Sequence, residues 1–214
     1  MTLIAKNDDI QIDRVIAGFF DNNSYIVSCR QTEESVLVDA PADASKILRE
    51  LQGTNPKYIL LTHNHMDHLG ALSELKSKLR IPVAVHKLDA NNNMPSPPEI
   101  LLGNGGMVSF GKITLTVLHT PGHTPGSLCF LTDKYLLSGD TIFPGGPGKT
   151  NSPAELRQII DSITRKIFVL PDDTLILPGH GNSTILKKEK DEFAIFSSRP
   201  LDPNLCGDVL WLSS

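Results

Sequence analysis

Cysteine, clustered positive charge and long apolar runs are all scarce in this chain. Its three cysteines, Cys29, Cys129 and Cys206, are odd in number, stand far apart and form no C-x-x-C pair. That usage argues against a disulfide framework and a thiolate zinc site. It suits small buried hydrophobes in a reducing cytosol, so a cytoplasmic location is expected. No apolar stretch approaches the ~18 residues of a membrane span. The first twenty residues carry Asp8, Asp9 and Asp13 without a compact apolar core, so no secretory signal is expected. Lysine and arginine form no run and the formal charge is −4, which argues against a nucleic-acid-binding face. No partner is therefore expected among nucleic acids or membranes. With 40% hydrophobic and 21% charged residues over 214 positions, the composition fits one globular domain spanning 1–214.

Short β-branched or aromatic runs between polar clusters predict strands at Val15–Phe20, Ser24–Cys29 and Ser35–Asp39. Ile47, Leu48 and Leu51 take helical spacing over Asp43–Leu51, with Gly53 as the stop. Tyr58–Leu61 reads as a buried strand, Leu69–Leu79 as a helix and Pro82–Val85 as a strand. Residues 91–98, rich in Asn and Pro, read as a loop of the kind that often borders a site. Further strands are expected at Met107–Phe110, Ile113–Leu118, Leu128–Thr132, Tyr135–Leu137 and Thr174–Leu177. Ser152-Pro153-Ala154-Glu155 is a capping box with proline at the first helical position. It opens a helix with the stripe Leu156, Ile159, Ile160, Ile163 and Ile167, and Lys187–Phe196 reads as another helix. Two similar halves suggest an α/β sandwich with helices outside two sheets.

The histidines sit where such strands end. His63, His65, Asp67 and His68 lie together between a strand and a helix. Period 2 in an extended segment lets His63 and His65 point the same way. Imidazoles with carboxylates suit zinc, iron or manganese. His123 follows Thr120-Pro121-Gly122, Asp140 follows Ser138-Gly139, and His180 follows Pro178-Gly179. Together they make seven ligands, enough for two metals with an open solvent position.

The pattern H-x-H-x-D-H, then Pro-Gly-His, Gly-Asp and Pro-Gly-His-Gly, resembles the metallo-β-lactamase-fold hydrolases, from about residue 13 to about residue 185. The resemblance implies the four-layer αββα sandwich. It places His63, His65 and His123 on one metal, Asp67, His68 and His180 on the other, and Asp140 between them. True β-lactamases of the fold generally lack that bridging aspartate. The transfer-RNA-processing nucleases carry an extra arm that has no counterpart here. Thr120–Ser127 and Gly139–Phe143 are most similar to glyoxalase II-like (hydroxyacylglutathione hydrolase-like) thioesterases, here without the C-terminal helical domain. Gly148-Lys149 matches a family lysine that helps hold the glutathione moiety.

The resemblance implies a dinuclear metal-dependent hydrolase of a small acyl thioester, using a metal-bridging hydroxide that Asp67 orients. Two divalent ions, zinc foremost with iron or manganese as alternatives, are the expected cofactors. The alternative on this scaffold is a persulfide dioxygenase with one iron on His63, His123 and Asp140. Lactonase or weak β-lactamase activity and a non-catalytic metal-binding module are weaker readings. His86 and His119 match no ligand position and read as packing or surface residues. Gly145-Gly146-Pro147-Gly148 lacks the spacing of a phosphate loop. Trp211 and its apolar neighbours are expected to dock on the core or on a second copy, as in a homodimer.

Overall fold

Alternating aliphatic residues build two sheets that face one another. A computed structural model describes residues 1–91, 94–200 and 202–214. The first sheet holds seven strands in chain order: β1 (Thr2–Lys6), β2 (Ile10–Ala17), β3 (Asn22–Cys29), β4 (Glu34–Val38), β5 (Asn55–Leu60), β6 (Val83–His86) and β7 (Ile100–Leu102). Its first four strands pair antiparallel and the rest parallel. The second sheet uses β8 (Met107–Phe110), β9 (Ile113–His119), β10 (Leu128–Thr132), β11 (Tyr135–Gly139), β14 (Leu175–Pro178) and β15 (Thr184–Ile185). Its order runs β15-β14-β11-β10-β9-β8. A small ribbon pairs β12 (Ile142–Phe143) with β13 (Gly146–Pro147).

Period 2 sorts each strand between two environments. Ile12, Tyr25, Val27, Val36, Val38 and Leu60 of the first sheet meet Leu115, Val117, Leu128, Phe130, Leu137 and Leu177 of the second. Their neighbours Val15, Ile26, Leu37, Ile59, Val83 and Val85 face outward, under helices α1 (Ala44–Glu50) and α2 (Leu72–Leu79). On the far side, Cys129, Leu136 and Ile176 lie under α3 (Pro153–Ser162) and α4 (Leu186–Ser197). This is the four-layer αββα sandwich expected from the sequence. Because both sheets are covered on both faces, β3 is buried along its whole length.

The expected cap forms in part: Ser152 Oγ accepts from Glu155 N–H at 3.3 Å, while Glu155 Oε2 reaches one residue further back and accepts from Asn151 N–H at 2.7 Å. α3 continues into a π turn, Ile163–Ile167, which keeps Ile163 and Ile167 on the core. Trp211 is fully buried against Phe193 and Phe196, so the apolar tail docks on this chain's own core.

Some boundaries differ from expectation. The strand expected at Val15–Phe20 ends at Ala17, because Gly18 (φ 83°) turns the chain and leaves Phe19 and Phe20 exposed. The helix expected from Leu69 begins at Leu72, since a 3-10 turn at Met66–His68 comes first. In the expected 91–98 loop, residues 94–98 are neither helix nor strand, while Asn92 and Asn93 lie outside the described residues.

Candidate metal centre

Strand ends deliver the histidines to one rim of the sandwich. β5 runs out into His63; His65 is still extended (φ −67°, ψ 140°), and the 3-10 turn then folds Asp67 and His68 back towards them. β11 ends at Gly139 ahead of Asp140, and β14 ends at Pro178 ahead of His180. Backbone bonds stitch these ends together: Leu128 N–H donates to Thr62 O and Asn23 N–H to Gly179 O, both at 2.7 Å. Gly179 permits the approach, since a Cβ there would lie 2.2 Å from Asp140 Oδ1 and 2.7 Å from His68 Cε1.

Three groups of donor atoms result: His63–His65–His123, His63–His68–Asp140 and Asp67–His68–His180, each within 4.8 Å. In the first, His65 Nδ1 lies 3.1 Å from His63 Nε2 and 3.0 Å from His123 Nε2. In the last, His180 Nε2 is 3.2 Å from His68 Nε2 and 3.3 Å from Asp67 Oδ2. Asp140 Oδ2 stands 3.6 Å from both His123 Nε2 and His180 Nε2, one from each end group. Zinc–nitrogen bonds of about 2.0–2.1 Å imply tetrahedral edges of about 3.3–3.4 Å, so these spacings suit ligands around a metal.

The outer hydrogen bonds make the same point. His123 Nδ1 faces Lys149 O at 2.8 Å and His180 Nδ1 faces Phe20 O at 3.0 Å. A carbonyl only accepts, so both Nδ1 atoms carry protons and both rings turn Nε2 towards the centre. His68 Nδ1–H likewise donates to Asp39 Oδ2 at 2.9 Å. Thr62 Oγ1 gives its proton to Asp39 Oδ2 and so accepts from His63 Nδ1–H. The Nε2 atoms of His63, His68, His123 and His180 therefore converge on the centre, where a cation can bind them. Asp140 Oδ1 is buried, makes no hydrogen bond among the described residues and lies 3.5 Å from His68 Nε2, as a ligand oxygen beside a ligand nitrogen would. The residues fit a pair of divalent metals.

A family model described as the metallo-beta-lactamase superfamily matches residues 17–180, more than half of the chain. The chain belongs to the metallo-beta-lactamase superfamily. The probable metallo-hydrolase YqgX of Bacillus subtilis is 32% identical over 200 residues, 84% of this chain and 94% of that one. The hydroxyacylglutathione hydrolase GloC of Haemophilus influenzae is 27% identical over 78% of this chain and 89% of its own. Among solved structures, the BLEG-1 B3 metallo-beta-lactamase superposes with a TM-score of 0.75 at 30% identity, covering 84% of this chain and 96% of that one. TTHA1623 in a di-iron-bound form gives 0.71 at 32%, with 83% and 96% covered. ETHE1 from Myxococcus xanthus gives 0.72 at 27%, with 84% and 81% covered.

Electrostatics divides the candidate centre in two. Burial, and then the neighbouring rings of His68, His123 and His65, hold His63 well below the usual histidine range. Burial pulls His68 the same way, but Asp39, Asp140 and Asp67 outweigh it and raise the ring to about 9. Burial also opposes protonation of His180, yet its contacts with Asp67 and Asp140 leave it raised. Asp67 is held well below the carboxylate range by its hydrogen bond with His180, against burial, and further by one from Asn22. In the metal-free protein a proton on His68 therefore takes part of the cation's place. Metal titration near pH 7 should release about one proton or more per chain. Calorimetry in buffers of different protonation heat reads that number; heats independent of buffer would contradict it. His68 is raised above its unfolded value, so its contribution to metal-free stability is whole below about pH 6.5 and fades as pH rises through about 9.

Two residues that sequence reasoning did not single out build this centre. Asp39, buried and left-handed (φ 61°), accepts from Thr62 N–H, Thr62 Oγ1 and His68 Nδ1–H and so orients two histidines. Asn22 Nδ2 donates to Asp67 Oδ2 at 2.9 Å, and Asn22 pairs with His180 in a β-bridge. Lys149 lies near the centre, beside a cavity of about 330 Å³ lined also by His123, Asp140, Phe143 and His180. His86 and His119 stand outside the three donor groups and stack on each other, with centroids 3.9 Å apart and planes 12° apart. Replacing either by alanine should leave metal content at the wild-type level; elemental analysis that finds one equivalent missing would contradict this assignment.

Proposed function

We propose that this chain is a dinuclear metal-dependent hydrolase of acyl thioesters, of the glyoxalase II-like kind. The observation that carries the reading is Asp140, whose Oδ2 lies equally close to His123 and His180. His63, His65 and His123 would hold one ion, Asp67, His68 and His180 the other, with Asp140 shared. The likeness to GloC supports the substrate class and the di-iron form of TTHA1623 supports a metal pair. Zinc suits this nitrogen and oxygen set best, and iron or manganese suits it too.

When bound, such a pair supplies a hydroxide nucleophile near neutral pH and polarises an acyl carbonyl. The chain's residues do the positioning. Asp67, kept ionised by its contacts with His180 and Asn22, orients the attacking water. Asp39, Lys149 O and Phe20 O fix the ring tautomers of His68, His123 and His180. A thiol has a pKa of about 8.5, so the thiolate leaves without a dedicated proton donor. Phe143, Pro144, Pro147 and Leu210 give the cavity an apolar wall for the organic part of the substrate.

A single iron on His63, His123 and Asp140 is the second reading, since two histidines and a carboxylate leave positions open for oxygen. It leaves the spacing of Asp67, His68 and His180 without a use. Metal-loaded protein should hydrolyse thioesters faster than a lactone, a β-lactam or a phosphodiester. Oxygen uptake on glutathione persulfide, with no thioester cleavage, would overturn the proposal in favour of the second reading.

A further inference from the structure

Resting on the thioesterase reading, a further inference concerns the grip on the thiol carrier. Residues 206–212 run along the loop that forms the cavity floor. Thr150 and Gly207 exchange two backbone hydrogen bonds, at 3.2 and 2.9 Å, and Trp211 N–H donates to Gly145 O at 2.7 Å. Gly146 lies so close that a Cβ there would come 2.2 Å from Val209 O. Buried Trp211 anchors the far end. Between these fixed points, Asp208 and Leu210 turn towards the cavity.

Lys149 is the one lysine or arginine among the described residues lining the cavity, and its Nζ lies 3.7 Å from Asp208 Oδ2. Both side chains are exposed, at 62% and 80%. Asp208 makes no other ion pair among the described residues, while the backbone either side of it is tied down. A carboxylate held beside the cavity's only such cation has a direct electrostatic consequence. An anionic carrier must displace Asp208 from Lys149 and also meets its negative charge, within a screening length of about 8–10 Å. A neutral carrier meets neither cost and has the apolar wall to lie on.

We propose that Asp208 is a specificity-determining residue, which masks Lys149 and biases the cavity towards thioesters whose carrier has little negative charge. An exposed pair has a graded effect rather than an absolute one. The test uses metal-loaded wild type, Asp208→Asn, Lys149→Met and the double variant. Binding of S-methylglutathione, an anionic carrier without a scissile bond, is measured by calorimetry. Turnover of a glutathione thioester is divided by that of an N-acetylcysteamine thioester with the same acyl group.

Asp208→Asn should tighten S-methylglutathione about two- to fivefold and raise the turnover ratio in step. The gain should shrink at about 0.5 M salt and be smaller in the Lys149→Met background, where only the direct repulsion by Asp208 is removed. Asp208→Ser, a second removal of the charge, must give the same gain at an unchanged Tm. Equal or weaker affinity in Asp208→Asn, or no binding by either protein, overturns the proposal. A wild type that cleaves neither thioester sinks the thioesterase reading instead, and the S-methylglutathione titration still decides the role of Asp208.

Discussion

Replacing Asp140 by alanine should cut kcat/KM on a thioester at least about 100-fold, because metal-ion catalysis supplies several kcal/mol and each 1.36 kcal/mol is tenfold. The loss follows from position. Oδ2 faces a nitrogen of each end group and Oδ1 lies 3.5 Å from His68 Nε2, so Asp140 is the carboxylate that both metals would share. Metal content should fall below two per chain. In the metal-free protein the variant also loses a counter-charge of His68, whose Nε2 lies 3.5 Å from Oδ1, so the raised titration of that ring should fall. Wild-type turnover with two metals retained would contradict the dinuclear reading.

Asp39→Ala should damage folding and metal binding together. Asp39 is 2% exposed and accepts three donors, Thr62 N–H, Thr62 Oγ1 and His68 Nδ1–H. Alanine leaves all three buried without an acceptor and removes the counter-charge of a raised histidine, at a cost of about 3–5 kcal/mol. Metal affinity should fall about 10–100-fold, the usual effect of removing a group that orients a ligand. Asp39→Asn should fold better than the alanine variant, since asparagine tolerates the left-handed backbone at φ 61°. Its amide cannot replace the charge, so the high titration of His68 should still be lost. Urea unfolding of the metal-free variants and competition with a chelator measure the two effects. An alanine variant as stable as wild type, with equal affinity, would remove Asp39 from this role.

The seven candidate ligands were legible because their meaning is local. His63, His65, Asp67 and His68 sit within one turn of chain, and each remaining ligand follows a glycine at a strand end. The four layers were legible too, since alternation and capping are written over short windows. Asp39 was not, because an aspartate closing the expected strand Ser35–Asp39 carries no local sign of a partner. Its meaning comes from His68, 29 positions away. The Lys149–Asp208 pair is hidden in the same way, formed only when the tail folds back on the 145–150 loop. β1 and β7 were missed for another reason. β1 is an edge strand with little buried surface, and β7 has three residues, so neither shows a usable alternation. Phe19 and Phe20 misled in the opposite direction, as strand-forming residues on a turn that Gly18 dictates.

On the proposed reading, two metals that share Asp140 serve one thioester-cleaving site. Thioester turnover measured as metal-free protein is titrated with zinc, or with iron under anaerobic conditions, tests it most directly. Activity should rise to a plateau at two equivalents per chain. Full activity at one equivalent, or oxygen consumption in place of thioester cleavage with iron, would contradict it.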